Sequence, residues 1–410
     1  MLNWLNRFNI FCFLDNNQYQ LSHKSIECVA AIGVVDSIKA NAGSAFEKLQ
    51  EFRKRYDKEW IFGHFSYDLK NEIESLESSH VDFIQFPDLF FFVPETLITL
   101  GEKEIQISNK YGEAANIFKE IMSGSSEIPP VVSTIDIKSR FDRNEYIESV
   151  RKLQQHILRG DCYEINFCQE FYDDKASINP LAVFASLSNA SPNPFSAFYK
   201  LDDKFLICAS PERYLKKEGN YIYSQPIKGT SQRDLLSEQK DEQNRSSLRN
   251  SEKELSENVM VVDLVRNDLS KFCAEGSVVV EELFGIYSFP QVHQMISTVK
   301  GRLEDGVDAV EMIKASFPMG SMTGAPKKRV MELIETYEKT RRGLFSGAVG
   351  YFTPEGDFDF NVVIRSIFYN ETLQYLSFQA GSAITFYCDP SLEYEECLLK
   401  AQAIKKVLTS

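Results

Sequence analysis

Two segments of the chain each carry a pair of carboxylates three residues apart: Glu254 and Glu257 in ELSENVMVVDLV, and Glu393 and Glu396 in EYEECLLKA. On a helix, side chains at i and i+3 share a face. Two converging helices would therefore gather four carboxylates, an oxygen-rich site for a hard cation such as Mg2+. A plainer explanation exists for the same residues: Ser251-x-x-Glu254 is a capping box, Glu393 suits a first-turn dipole, and Glu396 and Lys400 form an i, i+4 pair.

Other residues could work beside such a site. Lys228 lies in QPIKGTSQ (225–232), where Pro226 and Gly229 suggest an irregular turn and Ile227 suggests partial burial. It would be a nucleophile if burial or a nearby cation lowered its pKa, and otherwise a solvated loop lysine. Glu212 in SPERY follows the apolar strand FLICA and is either an acid with a raised pKa or a turn cap. Arg365 in NVVIRSIF is expected inside a strand, on the face of Val363 and Ile367, where its permanent charge needs an anion: a substrate carboxylate or a structural partner. The turn GSMTGAPKK (320–328) offers backbone N–H groups to an anion ahead of a helix opening at Pro326, but no Gly-Lys-Ser/Thr follows, which disfavours nucleotide binding.

Periodicity supplies the elements that position these groups. The helix beginning near Ser251 is expected to bury Leu255, Val259, Val262 and Val265, and the second acidic helix follows Asp389 and Pro390. Helices are also expected over 43–56 and 143–158, and strands over 60–67, 90–100, 163–171, 196–201 and 204–209. Pro94 demotes the strand over 90–100 to a sheet edge. Strands occur in groups rather than in strict alternation with helices, so the expected class is α+β, with large, mostly antiparallel sheets. GSSEIPP (124–130) reads as a linker. It places a soft boundary between regions 1–130 and 131–410, which are expected to form one compact unit.

The 410 residues, 43% hydrophobic and 25% charged, are those of an ordinary globular protein. A formal charge of −14 without basic clusters argues against nucleic acid or an anionic membrane as partner. An anionic substrate would have to find local positive groups or a bound cation. Eight scattered cysteines without a C-x-x-C pair fit a reducing, cytoplasmic setting. The apolar run 8–14 is short and broken by Asn9, so no signal peptide is expected, and no stretch approaches the roughly 20 apolar residues of a membrane helix.

The strings GDCYEINFCQEF (160–171), SPERY (210–214), QPIKGT (225–230), ELSENVMVVDLVRNDL (254–269), FPMGSMTGAPK (317–327), RRGLFSGAVGYF (341–352), VVIRS (362–366) and EYEECLLKA (393–401) occur in this order. Together they resemble the chorismate-utilising family that includes component I of anthranilate synthase and of aminodeoxychorismate synthase. FGHFSYDLKNEIE (62–74) is similar to the N-terminal part of those component I subunits. The resemblance implies the family's fold, two large sheets packed face to face with helices outside. It also implies Mg2+ held by Glu257 and Glu396, with Glu254 and Glu393 completing the acidic ring. Thr230, Ser321, Arg365, Lys400 and the backbone of Gly381, Ser382 and Ala383 would hold chorismate. Lys228 would attack the ring and Glu212 would protonate the departing C4 hydroxyl.

Anthranilate synthases usually have Ala where Lys228 stands, so the resemblance favours amination at C4, on the route to 4-aminobenzoate and folate. The ammonia would come from a separate glutaminase subunit, since the chain carries no cysteine in a nucleophile elbow. Anthranilate synthesis by attack at C2, a non-catalytic chorismate-binding scaffold, and a pyridoxal phosphate enzyme built on Lys228 are the alternatives. Three positions depart from the pattern. Glu164 replaces a common Gln and also argues against direct hydration of the ring. Gln294 stands where several relatives have His, and Ala383 replaces a Gly, which narrows the permitted dihedrals.

Overall fold

Residue alternation assigns the two faces of the first sheet. In Ile10–Asp15, Phe11 and Phe13 join one apolar cluster and Cys12 joins another. In Cys28–Ile32, Ala30 and Ile32 go one way and Val29 and Ala31 the other. This is the period of two that places successive strand side chains on opposite faces. One cluster lies beneath helices that include Arg143–Leu158, Pro180–Ala190, Lys327–Tyr337 and Pro390–Thr409. The other joins this sheet to a second one and to the helices Ala45–Arg55, Glu252–Ser270 and Ala309–Ser316. The computed structural model describes residues 1–409 except 20–22, 24, 25, 102, 126, 129–134 and 291. Pro129 and Pro130 of the expected linker, and the boundary placed there, lie outside the described residues.

Among the described residues the first sheet has eleven strands, in the order Gly324–Ala325, Glu164–Asp173, Tyr375–Ile384, Ser366–Asn370, Lys204–Ser210, Phe195–Leu201, Ile10–Asp15, Cys28–Ile32, Thr96–Leu100 and Ile105–Asn109; Lys138–Ser139 also pairs with Glu164–Asp173. The second has ten, in the order Ile227–Gln232, Val292–Arg302, Tyr221–Gln225, Arg213–Glu218, Phe358–Asn361, Ala348–Phe352, Ile61–Phe65, Leu89–Val93 and Asp36–Ala40, with Val279–Ser288 also on Val292–Arg302. The pairings are antiparallel, and with eleven α-helices among the described residues the architecture is the expected α+β. Both sheets mix early and late strands: Ile10–Asp15 pairs with Phe195–Leu201, and Ile61–Phe65 with Ala348–Phe352.

Several expectations need correction. The segment 90–100 is two strands, Leu89–Val93 in the second sheet and Thr96–Leu100 in the first. Pro94, lacking an N–H for a ladder, sits where the chain leaves one sheet for the other. Leu89–Val93 is no edge either: it lies between two strands, with all five residues buried. Arg365 is not inside a strand. It adopts φ 51° just before Ser366–Asn370, where the chain crosses from Phe358–Asn361 in the second sheet. In Glu252–Ser270 the buried face is Glu257, Asn258, Val261, Val262, Val265 and Leu269, whereas Val259 is 50% exposed. The Ser297 hydroxyl donates to Asn258 Oδ1 at 2.6 Å, fixing the helix with this polar residue inward.

Arg342 joins these parts. Its buried guanidinium donates to Glu338 Oε1 at 2.6 Å and Oε2 at 2.9 Å, to the Met322 carbonyl at 2.7 Å and to the Asn166 carbonyl at 2.8 Å. Glu338 Oε1 also accepts the Cys168 N–H at 2.9 Å, and the guanidinium lies 4.7 Å from the centre of the Tyr67 ring. Breaking a buried pair by removing one partner leaves the other charge uncompensated, at a cost of about 3–5 kcal/mol. Arg342→Met should lower unfolding stability by an amount of that order in a denaturant titration, and adding Glu338→Leu should recover part of it. An Arg342→Met midpoint equal to that of the unaltered protein would show that the linkage does not contribute.

Candidate active site

Two of the candidate residues lie on segments that pass from one sheet to the other. Glu212 lies between Lys204–Ser210 of the first sheet and Arg213–Glu218 of the second, while Arg365 occupies the return crossing. A backbone bond from the Val362 N–H to the Glu212 carbonyl, 3.0 Å, holds the two crossings together. Lys228 belongs to Ile227–Gln232, not to an irregular loop, and a register shift between Ile227 and Thr230 marks a bulge. Gly229 there has φ +87°, and a Cβ on it would fall 2.9 Å from Glu254 Oε2, so the acidic helix packs directly against this strand.

Lys228 is 8% exposed and donates to Glu164 Oε1 at 2.7 Å, a contact joining the two sheets. Glu164 is fixed from its other side by Gly324–Ala325: a Cβ on Gly324, φ +143°, would come within 2.0 Å of the Glu164 carbonyl. The sequence argument required burial or a cation to lower the lysine pKa. Burial does push it down, but Glu164, Glu257 and Glu212 outweigh burial and hold it above its ordinary value. The pairing residue stands 64 positions earlier in the chain and on the other sheet.

Glu212 is buried, and burial raises its carboxyl to about 7 against the opposing Ser321 hydroxyl, Lys228, Arg365 and the Ile227 backbone. This fits the acid anticipated at that position. Burial lowers Arg365 to about 10 against the pull of Glu212. Gln294, with its amide carbonyl turned to the guanidinium, accepts from Arg365 at 2.8 and 3.2 Å.

Lys253 of the first acidic helix reaches Glu393 and Glu396 of the second. Burial raises Glu257 to about 7, chiefly against Lys228, and also raises Glu254. Glu396 is lowered instead, because Lys400 and Lys253 outweigh burial. Lys400 pairs with Glu396 Oε1 and donates to the Gly381 carbonyl, both at 2.9 Å. Among the described residues, no three carboxylates converge closely enough to hold a metal ion as they stand. Their chemistry nevertheless suits a hard cation, since Glu257 Oε1 and Glu393 Oε2 are buried and accept no hydrogen bond among the described residues.

Glu164 Oε2 is likewise buried without a hydrogen bond among the described residues, and the buried Ser321 and Ser382 hydroxyls lie beside Glu212 and Tyr146. Gly381, Ser382 and Ala383 pair with Cys168, Phe167 and Asn166 in a regular ladder, an extended backbone that Ala383 adopts without cost. Thr230 is exposed, opposite Gln294, and no side-chain hydrogen bond among the described residues ties it to the group. Sequence reasoning missed Lys253, Asn166 and the pairing roles of Glu164 and Gln294. The Asn166 amide donates to the Ser321 carbonyl at 3.1 Å.

The two-sheet fold is similar to that of anthranilate synthase component I from Streptococcus pneumoniae, with a TM-score of 0.81, 25% identity and 94% of each chain covered. The model of the chorismate binding enzyme family matches residues 10–406, and the chain belongs to that family. Aminodeoxychorismate synthase component 1 of Bacillus subtilis is 33% identical, covering 84% of this chain and 76% of the relative. The protein of that name from Salmonella typhimurium is 36% identical, covering 83% and 75%.

The Glu212 environment makes a direct prediction. In 13C NMR of carboxyl-labelled protein, a resonance absent from Glu212→Gln should titrate near 7. Lys228→Met removes a positive neighbour that favours the carboxylate, so the midpoint should move upward. A Glu212 midpoint at the ordinary value of about 4.3 would contradict the environment described.

Proposed function

We propose that this protein aminates chorismate at C4, as component I of an aminodeoxychorismate synthase supplied with ammonia by a separate glutaminase subunit. The observation that carries the proposal is Lys228: an amine buried inside the site, 2.7 Å from a carboxylate able to take its proton and in the field of the raised acid Glu212. The two relatives bearing the aminodeoxychorismate synthase name support it. A relative from Buchnera aphidicola named anthranilate synthase component 1 is 34% identical, so attack at C2 is the reading to test against it.

The chemistry follows from these side chains. Lys228 Nζ bonds to ring C2, the double bonds shift, and the C4–O bond breaks as Glu212 gives up its proton, so that water leaves. The lysine is held protonated beforehand, and Glu164 takes its proton. Ammonia bonds to C4 and gives up a proton to Glu212, the double bonds shift back, the C2–N bond breaks, and the released Lys228 recovers its proton from Glu164. Arg365, with Gln294 behind it, and Lys400 meet the substrate's carboxylates. A Mg2+ ion would be held by Glu257 and Glu396, with Glu254 and Glu393 beside them, and would draw electrons from the ring carboxylate and diene. The enolpyruvyl group is retained, so a separate lyase reaction is needed to reach 4-aminobenzoate.

Incubation with chorismate, Mg2+ and an ammonium salt should yield 4-amino-4-deoxychorismate; anthranilate as the main product would overturn the C4 assignment. Lys228→Ala should slow the reaction strongly, each tenfold loss corresponding to about 1.4 kcal/mol of barrier. With ammonia withheld, the unaltered protein should carry a chorismate-derived mass adduct on the Lys228 peptide. Full rate and unchanged product in Lys228→Ala would leave direct attack by ammonia as the mechanism. Arg365→Lys keeps the charge but loses the planar fork, and should weaken chorismate binding by about 1–3 kcal/mol in equilibrium titration.

A further inference from the structure

Lys253 stands among the acidic residues in the manner of a bound cation. Its ammonium donates to Glu393 Oε1 at 3.0 Å and Glu396 Oε2 at 3.5 Å, and lies 3.9 Å from Glu257 Oε1. One lysine from the first acidic helix thus reaches both carboxylates of the second. Glu393 is 2% exposed and Glu257 6%, and each keeps a buried oxygen without a hydrogen bond among the described residues. An ammonium has three donors and a single charge, and does not neutralise the three carboxylates it reaches. Its side chain is 45% exposed, so the stem has room to swing toward solvent.

We infer that Lys253 is an internal counter-ion for the four-carboxylate ring, and that a divalent cation enters by displacing it, one ammonium leaving as one metal ion binds. The inference rests on the reading that Glu254, Glu257, Glu393 and Glu396 hold such a cation. The ammonium lets the two acidic helices approach in the metal-free protein, where mutual repulsion would otherwise hold them apart. It also weakens the apparent metal affinity, because metal and lysine compete for the same oxygens.

Electron paramagnetic resonance of free Mn2+, titrated against the protein without substrate, tests the exchange. Lys253→Met should bind Mn2+ more tightly than the unaltered protein, by on the order of tenfold, the size of an ordinary coupling between competing ligands. Lys253→Arg, which keeps the positive charge, should stay close to the unaltered protein. Thermal melts in chelator should show Lys253→Met less stable than the unaltered protein, with the deficit closing as Mn2+ is added. Equal or weaker Mn2+ binding by Lys253→Met, where the unaltered protein does bind, would overturn the exchange while leaving the metal reading intact. If neither protein binds Mn2+, the metal reading fails and the inference with it. A measurement on the unaltered chain covers the case of a variant that does not fold. Trace acetylation read by peptide mass spectrometry should show Lys253 protected in chelator and more reactive with Mn2+, and unchanged or reduced reactivity would overturn the exchange.

Discussion

The buried pair of Arg342 and Glu338 is the constraint on which the arrangement rests. An arginine cannot shed its charge in a protein interior, so every N–H it presents must find an acceptor. Here those acceptors are the Glu338 carboxylate, two backbone carbonyls and the Ser346 hydroxyl. The carbonyls belong to the strand that begins at Glu164 and to the turn that carries Ser321. Satisfying one side chain therefore fixes the strand, the turn and the start of a second-sheet hairpin together. A lysine would not substitute, since a point charge with three donors cannot span carboxylate and carbonyls in one plane.

Charge in the site alternates along a path rather than pooling. Arg365 faces Glu212, Glu212 faces Lys228, Lys228 pairs with Glu164 and feels Glu257, and the carboxylates beyond are bridged by Lys253 and Lys400. Burial pushes Arg365, Glu212, Lys228 and Glu257 toward their neutral forms, and a neighbouring opposite charge pushes each back. The two outcomes differ by geometry. Glu212 is left near neutrality because its opposing charges act at longer range, whereas Lys228 has a carboxylate in hydrogen-bond contact. A strongly acidic chain can in this way present positive groups to an acid without carrying a basic surface patch.

What was legible in the sequence was whatever local periodicity or capping dictates. Arg143–Leu158 was read with its bounds, and Asp142 with Glu145 forms a capping box at its start. The paired carboxylates could be placed on common helix faces from spacing alone. Features set by long-range contact were not legible. The run 90–100 and the segment around Arg365 each look like one strand, because apolar residues continue through a change of sheet. In Glu252–Ser270, Val262 and Val265 are buried as the period predicts, but Val259 is exposed while Glu257 and Asn258 turn inward toward Lys228 and Ser297, which no helical period encodes. Lys253 gave no signal, since its three carboxylates come together only when both helices are in place.

The pairing of early strands with late ones also governs the order of events during synthesis. Ile61–Phe65 lies between Leu89–Val93, which emerges soon after it, and Ala348–Phe352, which does not exist until most of the chain has been made. At roughly 5–20 residues per second, the ribosome leaves that edge open for tens of seconds. Ile10–Asp15 waits likewise for Phe195–Leu201. Such apolar edges are templates for unintended pairing between nascent chains, and contacts so distant in sequence slow the closing of the sheets themselves. The protein is therefore expected to depend on chaperone shelter during translation, and to refold from dilute denaturant less readily as its concentration rises.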